Sequence, residues 1–256
     1  NVSGELHIDS GEANPGASLD IEQVHFTYGF ANGVSLQVGQ FGSALGFERE
    51  DPAGLYTFSR AYGNSNTNRF ELGNVDSYVG EGVRLAYATD TITAGFAAYN
   101  AVGEQEETAG SPGSSDDLDY EFAITFTGIE NLSVTAGTQG VRGSLPDTDV
   151  DVTNLHASYT IDKLLLAAEY VNVDDENEAE DASAYMILAD YDINDKMGIA
   201  VRYSEYETGA NTEADQITIA PNYSITDSLG AILEYSSTEN GADEVDTLAL
   251  EVTFTF

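Results

Sequence analysis

The amino-acid sequence predicts an all-β fold: a transmembrane antiparallel up-and-down β-barrel of about 14 strands, within a range of roughly 12 to 16. Three observations predict it. Apolar and polar residues alternate with a period of two along most of the chain. Short and long connections alternate between the predicted strands. An aromatic residue precedes nearly every short connection. We expect residues 1–256 to form a single domain.

The alternation is clearest from Gln216 to Ile225. There the odd-numbered residues are apolar or aromatic, and the even-numbered residues are polar or small. Residues 118–127 repeat the pattern with the opposite parity. Successive side chains of a strand point to opposite faces, so each segment has one apolar and one polar face. No segment shows a convincing helical period.

The connections between strands are of two kinds. Short ones contain Asn, Asp or Gly, as in IEN and IDK, and are typical of hairpin turns. Long ones are acidic, as in GEQEETAGSPGSSDD and VDDENEAED. This asymmetry predicts short periplasmic turns, with both termini on the same side, and long acidic outer loops. The predicted membrane girdle before the short turns comprises Tyr28, Tyr87, Phe126, Tyr159, Tyr191, Tyr223, Phe254 and Phe256.

A soluble β-sandwich or a β-solenoid would also alternate apolar and polar faces. Strand length favours the membrane barrel. A strand of about 10 residues, tilted near 40°, spans roughly the 25 Å height of the apolar band of such barrels. The polar face is rich in Gly, Ala, Ser, Thr and Gln, which suits a water-filled interior better than a packed core.

Charge and composition exclude several classes of function. The chain has 45 Asp and Glu but only 8 Lys and Arg, which argues against nucleic acid as a partner. It has no Cys, hence no disulfide or thiolate site. We predict no cofactor, only loose divalent-cation binding by the acidic loops. No apolar run is long enough for a transmembrane helix. Asn1 already starts an alternating strand, so we expect a mature chain with its signal peptide removed.

Parity assigns the polar side chains of the strands to the interior. The predicted pore-lining residues are Glu5, His7, His25, Arg84, Glu121, Glu169, Asp190, Arg202, Glu234 and Glu251. His7 and His25 fall on neighbouring strands with Glu5 and Asp9 nearby. A metal or acid–base site at this place is a weaker hypothesis. The simpler interpretation is that these are charges in a solvated lumen.

One connection, residues 48–77, is far longer than the others. Loops of this length are usually functional or disordered. We expect this one to fold into the lumen and form the constriction, with its Arg groups meeting acidic wall residues. The alternative is a surface loop. Its candidate residues are Glu48, Arg49, Glu50, Asp51, Tyr56, Arg60, Arg69 and Glu71.

Two segments resemble known proteins. The C-terminal strand ALEVTFTF resembles the terminal signature of bacterial outer-membrane proteins, which the barrel-assembly machinery reads. We expect this strand to pair with NVSGELHID and close the barrel. The stretch between residues 34 and 102 resembles the OmpL-like β-barrel porin family. The matching positions are Gly39, Phe41, Gly46, Glu48, Asp51, Pro52, Tyr56, Ser59 and Arg60.

The resemblance implies a porin in the outer membrane of a Gram-negative bacterium, which passes small hydrophilic solutes and ions by passive diffusion. The acidity adds an expected preference for cations. The implied partners are outer-membrane lipid, lipopolysaccharide, the assembly machinery and two further copies in a homotrimer. The alternative is a structural or adhesive barrel. An enzyme is less favoured, since no Ser–His–Asp constellation emerges by spacing.

Overall fold

The computed structural model describes residues 1–10, 19–48, 56–62, 79–100, 118–142, 149–176, 181–208 and 212–255. They form 14 strands, each paired antiparallel with the next along the chain. The predicted up-and-down arrangement is confirmed. The strands are β1 (Val2–Ser10), β2 (Leu19–Gly29), β3 (Val34–Gly42), β4 (Val79–Ala88), β5 (Ile92–Asn100), β6 (Leu118–Phe126), β7 (Leu132–Val141), β8 (Val150–Ile161), β9 (Leu164–Asp175), β10 (Ala182–Asn194), β11 (Met197–Thr208), β12 (Thr212–Thr226), β13 (Leu229–Asn240) and β14 (Asp243–Phe254).

The two faces of the sheet differ as parity predicts. On β12, Ile217 and Ile219 are exposed, whereas Thr218 between them is fully buried. On β6, Phe122 is exposed and Glu121 is buried. Apolar side chains therefore cover the outward face, and polar ones turn inward. Within the described ranges, no helix is long and apolar enough to cross a membrane.

Short turns join the strands at one end of the sheet. Asn131 and Asp162 lie in the turns before β7 and β9 with φ of 63° and 52°. These left-handed conformations match the twist of the flanking strands, and Asn and Asp tolerate them better than most residues do. The predicted turn residues IEN and IDK thus fit the geometry that they must adopt.

The connection between β3 and β4 begins at Ser43, whereas the sequence predicted a start at Glu48. β3 ends earlier because the chain bends inward there: Ser43 Oγ donates a hydrogen bond to Glu121 on β6. We call the described parts of this connection, residues 43–48 and 56–62, the inner loop. Its contacts extend from Glu121 on β6 to Glu234 on β13. The sheet therefore curves around the inner loop, which lies on its inward face.

Among the described residues, β1 and β14 are the two edge strands of the sheet, and each pairs with one neighbour only. β1 pairs with β2, and β14 pairs with β13. The predicted pairing of β14 with β1 is not among these ladders. At the chain start, the Asn1 ammonium group donates to the Gly29 carbonyl at 3.0 Å, so the paired edge of β1 faces β2. Phe256 lies outside the described residues.

Aromatic residues form two rows on the outward face. The row at the short-turn end contains the predicted positions Tyr28, Tyr87, Phe126, Tyr159, Tyr191, Tyr223 and Phe254, all exposed. A second row, which the sequence analysis missed, includes Tyr170, Tyr185 and Tyr235. On β10 the rows are marked by Tyr185 and Tyr191, about 20 Å apart along the strand. Apolar side chains fill the space between the rows.

Candidate functional site

The inner loop is attached to the sheet by a buried ion pair. Arg202 on β11 is completely buried, and its Nη1 lies 2.7 Å from Oε1 of Glu48. The other Glu48 oxygen accepts the Ala61 amide at 2.7 Å. The guanidinium also donates to the Ser59 carbonyl and to Thr57 Oγ1. A single wall side chain therefore joins both described segments of the loop.

Three wall carboxylates hold the inner loop through its backbone. Each is nearly buried and accepts a main-chain N–H, which satisfies both a buried charge and a buried amide. The carboxylates stand on β6, β9 and β13, so they surround the loop on its wall side. The contacts are Ala44 N to Glu121 Oε1 at 3.0 Å, Phe47 N to Glu169 Oε1 at 2.8 Å and Ser59 N to Glu234 Oε2 at 3.0 Å.

The described charge pair between loop and wall differs from the pairing predicted from the sequence. We predicted that loop arginines meet wall acids, whereas in this pair the loop supplies the acid, Glu48, and the wall supplies Arg202. Arg60 donates its Nε to the Glu48 carbonyl within the loop. The wall acids accept hydrogen bonds from loop backbone amides and also from the hydroxyls of Ser43 and Tyr62. The predicted residues Arg49, Glu50, Asp51, Arg69 and Glu71 lie outside the described residues.

Apolar side chains inside the sheet support the loop as well. Leu45 is fully buried in a cluster with residues of β6 to β10, and Ala61 packs against residues of β9 and β10. From the sequence, only polar and small residues were predicted on this face. The signal was present in runs such as LLLAAEYV and AYMILAD, which are apolar on both faces and so indicate burial on both. The missed residues are Val150, Val152, Val171, Val173, Met186 and Leu188.

Tyr56 belongs to the same packed region. Its ring stacks on Phe47 with centroids 6.2 Å apart. Burial, and secondarily the charge of Asp190, raise the pKa of the Tyr56 hydroxyl. Phe47 also meets the edge of His156, a wall histidine whose Nδ1 lies 2.9 Å from Asn154 Oδ1.

A second group of polar residues lies on β1, β2 and β3, away from the contacts described for the inner loop. Glu5 lies between two histidines: His7 Nε2 is 2.7 Å from Glu5 Oε1, and His25 Nε2 is 3.5 Å from Glu5 Oε2. The amides of Gln23 and Gln37 contact the other ring nitrogens, at 3.3 and 3.0 Å. Each glutamine thus orients an imidazole so that Nε2 faces Glu5.

Arg84 on β4 connects these two regions. Its guanidinium donates to Gln37 Oε1 at 3.2 Å and to Glu121 Oε1 at 3.0 Å. It also donates to the Tyr99 hydroxyl at 2.9 Å and lies over the Phe41 ring, 4.6 Å from the centroid. The charge of Arg84 is therefore balanced by a buried acid and fixed by an aromatic face.

The remaining predicted lining residues, Asp190 and Glu251, also follow the inward parity and are partly buried. Asp190 Oδ1 and Glu251 Oε2 are buried oxygens with no hydrogen-bond partner among the described residues. In the part of the chain that the structure describes, no group of three or more His, Asp or Glu side chains is arranged to hold a metal ion. The hypothesis of a metal or acid–base site at His7 and His25 also named Asp9, whose side chain is not described, so it stays a prediction.

The family of the chain follows from comparison with known proteins. Residues 2–256 match the profile of the family described as "Putative beta-barrel porin-2, OmpL-like". No curated protein matches the chain.

Solved structures with a similar fold are outer-membrane channels and porins. The chain resembles the outer membrane channel DcaP of Acinetobacter baumannii with 15% identity and a TM-score of 0.72, covering 100% of this chain and 80% of DcaP. The anion-selective porin of Comamonas acidovorans has 14% sequence identity and a TM-score of 0.66. The match covers 92% of this chain and 76% of that porin. A loop L8 deletion mutant of OmpT from Vibrio cholerae has 14% sequence identity and a TM-score of 0.67. The match covers 99% of this chain and 84% of the mutant.

At these identities the likeness concerns the fold: an outer-membrane β-barrel of antiparallel strands. The family profile adds the sequence relationship over nearly the whole chain. Its match confirms the resemblance that the segment between residues 34 and 102 suggested. The chain therefore belongs to the OmpL-like β-barrel porin family.

Proposed function

We propose that this protein forms a water-filled channel through which small hydrophilic solutes and ions diffuse across the bacterial outer membrane. The observation that supports this most is the inner loop, which lies inside the curved sheet and is attached there by Glu48 and Arg202. A loop in this position narrows a channel without closing its walls. The inward faces of β1 and β2 carry the polar residues Glu5, His7, Gln23 and His25, as suits the wall of an aqueous path.

Liposome swelling tests the channel. Proteoliposomes that contain the purified protein should swell in sugars of increasing size until an exclusion limit is reached. Absence of swelling for every sugar, together with absence of conductance in a planar bilayer, would instead support a structural or adhesive barrel. The match to a porin family supports a channel over an enzyme.

We further propose that the connection between β3 and β4 forms the constriction. Its described segments reach from β6 across to β13, so they occupy part of the cross-section of the lumen. Deletion of residues 52–68 should raise single-channel conductance, because it removes residues 56–62, which lie on the inward face of the sheet. A deletion variant that folds and conducts like the unaltered protein would contradict this assignment.

A preference for cations follows from the inward charges. The described interior carries the carboxylates Glu5, Glu48, Asp119, Glu121, Glu169, Asp190, Glu234 and Glu251, against the arginines Arg60, Arg84 and Arg202. An excess of negative charge in a narrow aqueous path concentrates cations and repels anions. The porin of Comamonas acidovorans is described as anion-selective. At 14% identity, the selectivity of that porin says nothing about this chain. The proposed selectivity therefore rests on the charges of this chain.

The orientation and the partners complete the proposal. We place the short turns in the periplasm and the long acidic connections outside, with the two aromatic rows at the membrane interfaces beside lipid and lipopolysaccharide. The barrel-assembly machinery would act on the C-terminal strand. The similar OmpT structure from Vibrio cholerae is described in a trimer form, which supports a homotrimer. Mass determination in detergent distinguishes one copy from three.

A further inference from the structure

We propose that Arg84 on β4 is a positioning residue for the constriction, and that it acts by fixing the bend at which the chain leaves β3 and turns inward. Its guanidinium holds the last peptide group of β3 directly, and it holds the first residues of the inner loop through Glu121. The proposal rests on the constriction proposed above. It adds which wall residue directs the connection between β3 and β4 to the inside of the sheet.

The bend lies between Gly42 and Ala44. The ladder between β3 and β4 ends at Gly42, and Ala44 already contacts Glu121 on the inward face. Side chains of the two neighbouring strands bind both polar groups of the Gly42 backbone. The Gly42 N–H donates to Gln23 Oε1 at 2.9 Å, and the Gly42 carbonyl accepts from Arg84 Nη2 at 2.8 Å. The end of β3 is therefore fixed from both sides.

Glu121 receives the chain immediately after the bend. The Ala44 amide lies 3.0 and 3.1 Å from the two Glu121 carboxylate oxygens, and Ser43 Oγ donates to Oε2. The Glu121 side chain is only 2% exposed, and its charge is balanced by Arg84 Nη2, 3.0 Å from Oε1. Without Arg84, this buried carboxylate would be left uncompensated. It would then take up water, a proton or another orientation, and each of these weakens its bonds to the loop.

The fold places Arg84 where one side chain can reach both groups. Arg84 and Glu121 are both ladder partners of Ala97 on β5, so they stand at the same level with one small, buried side chain between them. The guanidinium lies 4.6 Å from the centroid of the Phe41 ring, and it donates to the Tyr99 hydroxyl at 2.9 Å. Phe41 and Tyr99 are themselves fully buried. Arg84 is therefore held rigidly.

Arginine suits this position better than lysine does. Nη2 donates to the Gly42 carbonyl and to Glu121, while Nη1 donates to Gln37 Oε1 at 3.2 Å. A planar guanidinium can hold these contacts at the same time, whereas an ammonium group is a compact point charge on a flexible stem. Arg84→Lys should therefore keep the ion pair with Glu121 but fix the bend less firmly.

This anchor is separate from the one at Arg202. Arg84 and Glu121 contact residues 42–44, whereas Arg202 contacts Glu48 and residues 57 and 59. The first anchor stands on β4 and β6, and the second stands on β11. One anchor can thus be removed while the other stays in place. The effect of Arg84 can be measured on a loop that is still attached further along the chain.

A single tryptophan can report the position of the loop, because the chain contains no Trp. Phe47 is the reporter site, since it lies in the inner loop and packs against buried residues of β9 and β10. Into Phe47→Trp protein in lipid vesicles we introduce Arg84→Met or Arg84→Lys. The matched control is Arg142→Met, which removes a guanidinium that pairs with Asp151. Trp emission and its quenching by acrylamide are then measured.

We expect a red shift of the emission and stronger quenching in Arg84→Met, since the start of the loop loses its anchor and the indole meets more water. Arg84→Lys should restore most of the signal of the Phe47→Trp protein, and Arg142→Met should leave it unchanged. Single-channel conductance should follow the same order, with the largest value in Arg84→Met. A urea titration in detergent shows that each variant is folded before its signal is compared.

Emission and quenching that stay unchanged in folded Arg84→Met would overturn the proposal. An equal change in Arg142→Met would also overturn it, because it would indicate a general loosening of the sheet. If Arg84→Met does not fold, Arg84→Met/Glu121→Gln removes both buried charges and must show the same red shift for the proposal to stand. The emission decides the role of Arg84 whether or not the protein conducts ions. Absence of conductance in the unaltered protein would refute the channel function alone.

Discussion

Arg202 illustrates what a single residue does in this protein. It is completely buried, yet it donates to groups in both described segments of the inner loop and to Gln216 and Thr218 on β12. Burying a guanidinium is costly unless its donors and its charge are satisfied. Glu48 satisfies the charge, so the loop cannot leave the wall without exposing two ions to a poor environment.

We predict that Arg202→Met lowers stability and loosens the loop. Loss of one partner from a buried ion pair typically costs about 3–5 kcal/mol, since the other charge is left uncompensated. The variant should unfold earlier in a urea titration in detergent, and its single-channel current should be larger and noisier. The matched control is Arg142→Met, because Arg142 lies beyond the end of β7 and pairs with half-exposed Asp151.

A double variant shows whether removing Glu48 and removing Arg202 lower stability through the loss of the same ion pair. In Glu48→Leu/Arg202→Met no charge of the pair remains, so the loss of stability should be smaller than the sum of the single losses. Simple additivity of the two substitutions would contradict the assignment of Glu48 and Arg202 as one unit.

The strands depend on close approach of their backbones at particular points. Gly39 on β3 has a φ of 134° and pairs with Gly82 on β4. A Cβ atom built on Gly82 would lie 2.2 Å from the Ala98 carbonyl oxygen on β5. There is no space for a side chain here, because the obstacle is backbone and cannot rotate away. The sheet thus bends tightly at the strands that lead into and out of the inner loop.

We predict that Gly82→Ala destabilises the barrel by about 1–3 kcal/mol, the usual range for overpacking. The control is Gly230→Ala on β13, where nothing lies within 4 Å of the place that the added methyl group would occupy. That substitution should leave the urea midpoint unchanged or raise it slightly, since Gly weakens a strand interior. Equal midpoints for the two variants would show that the contact at Gly82 relaxes at no cost.

Across the whole molecule, the net charge of −37 is divided between surfaces. Outward strand faces are apolar or aromatic and exposed, as in Phe26, Leu85 and Ile217. Carboxylates lie on the inward face, in the predicted long connections, and on the outward face near the long-connection ends of the strands, where Glu205 accepts from Tyr185 and Asp246 accepts from Tyr235. This division explains why a strongly acidic chain can carry such an apolar outer surface: lipid contacts one surface, and water contacts the other.

We predict that the cation preference weakens as salt concentration rises. The Debye length falls from about 10 Å at 0.1 M to about 3 Å at 1 M, so accessible carboxylates act over a shorter range. Reversal potentials in KCl gradients of fixed ratio should therefore indicate a smaller cation-to-anion permeability ratio at high salt. An anion preference at low salt would refute the proposed selectivity.

The periodic features could be predicted from the sequence, and the contacts of the loop could not. Alternation predicted the 14 strands and the correct face for Ile217, Thr218 and Glu121. It placed Arg202 inside but could not show that its partner is Glu48, 154 positions away. It also missed the apolar inward residues of β8 to β10, because a period-two pattern cannot distinguish a water-filled interior from one packed against a loop.

Sequence alone was enough to establish the strand order, the two faces and the family, because these depend on local alternation, turn chemistry and motif spacing. Which inward-facing residues are buried under the loop depends on the tertiary structure. Folding placed the inner loop against β6 to β13 and buried Glu121, Glu169 and Glu234 beneath the loop. The sequence could not show this, because a buried carboxylate requires specific donors and only the folded chain brings donors from a distant loop to it.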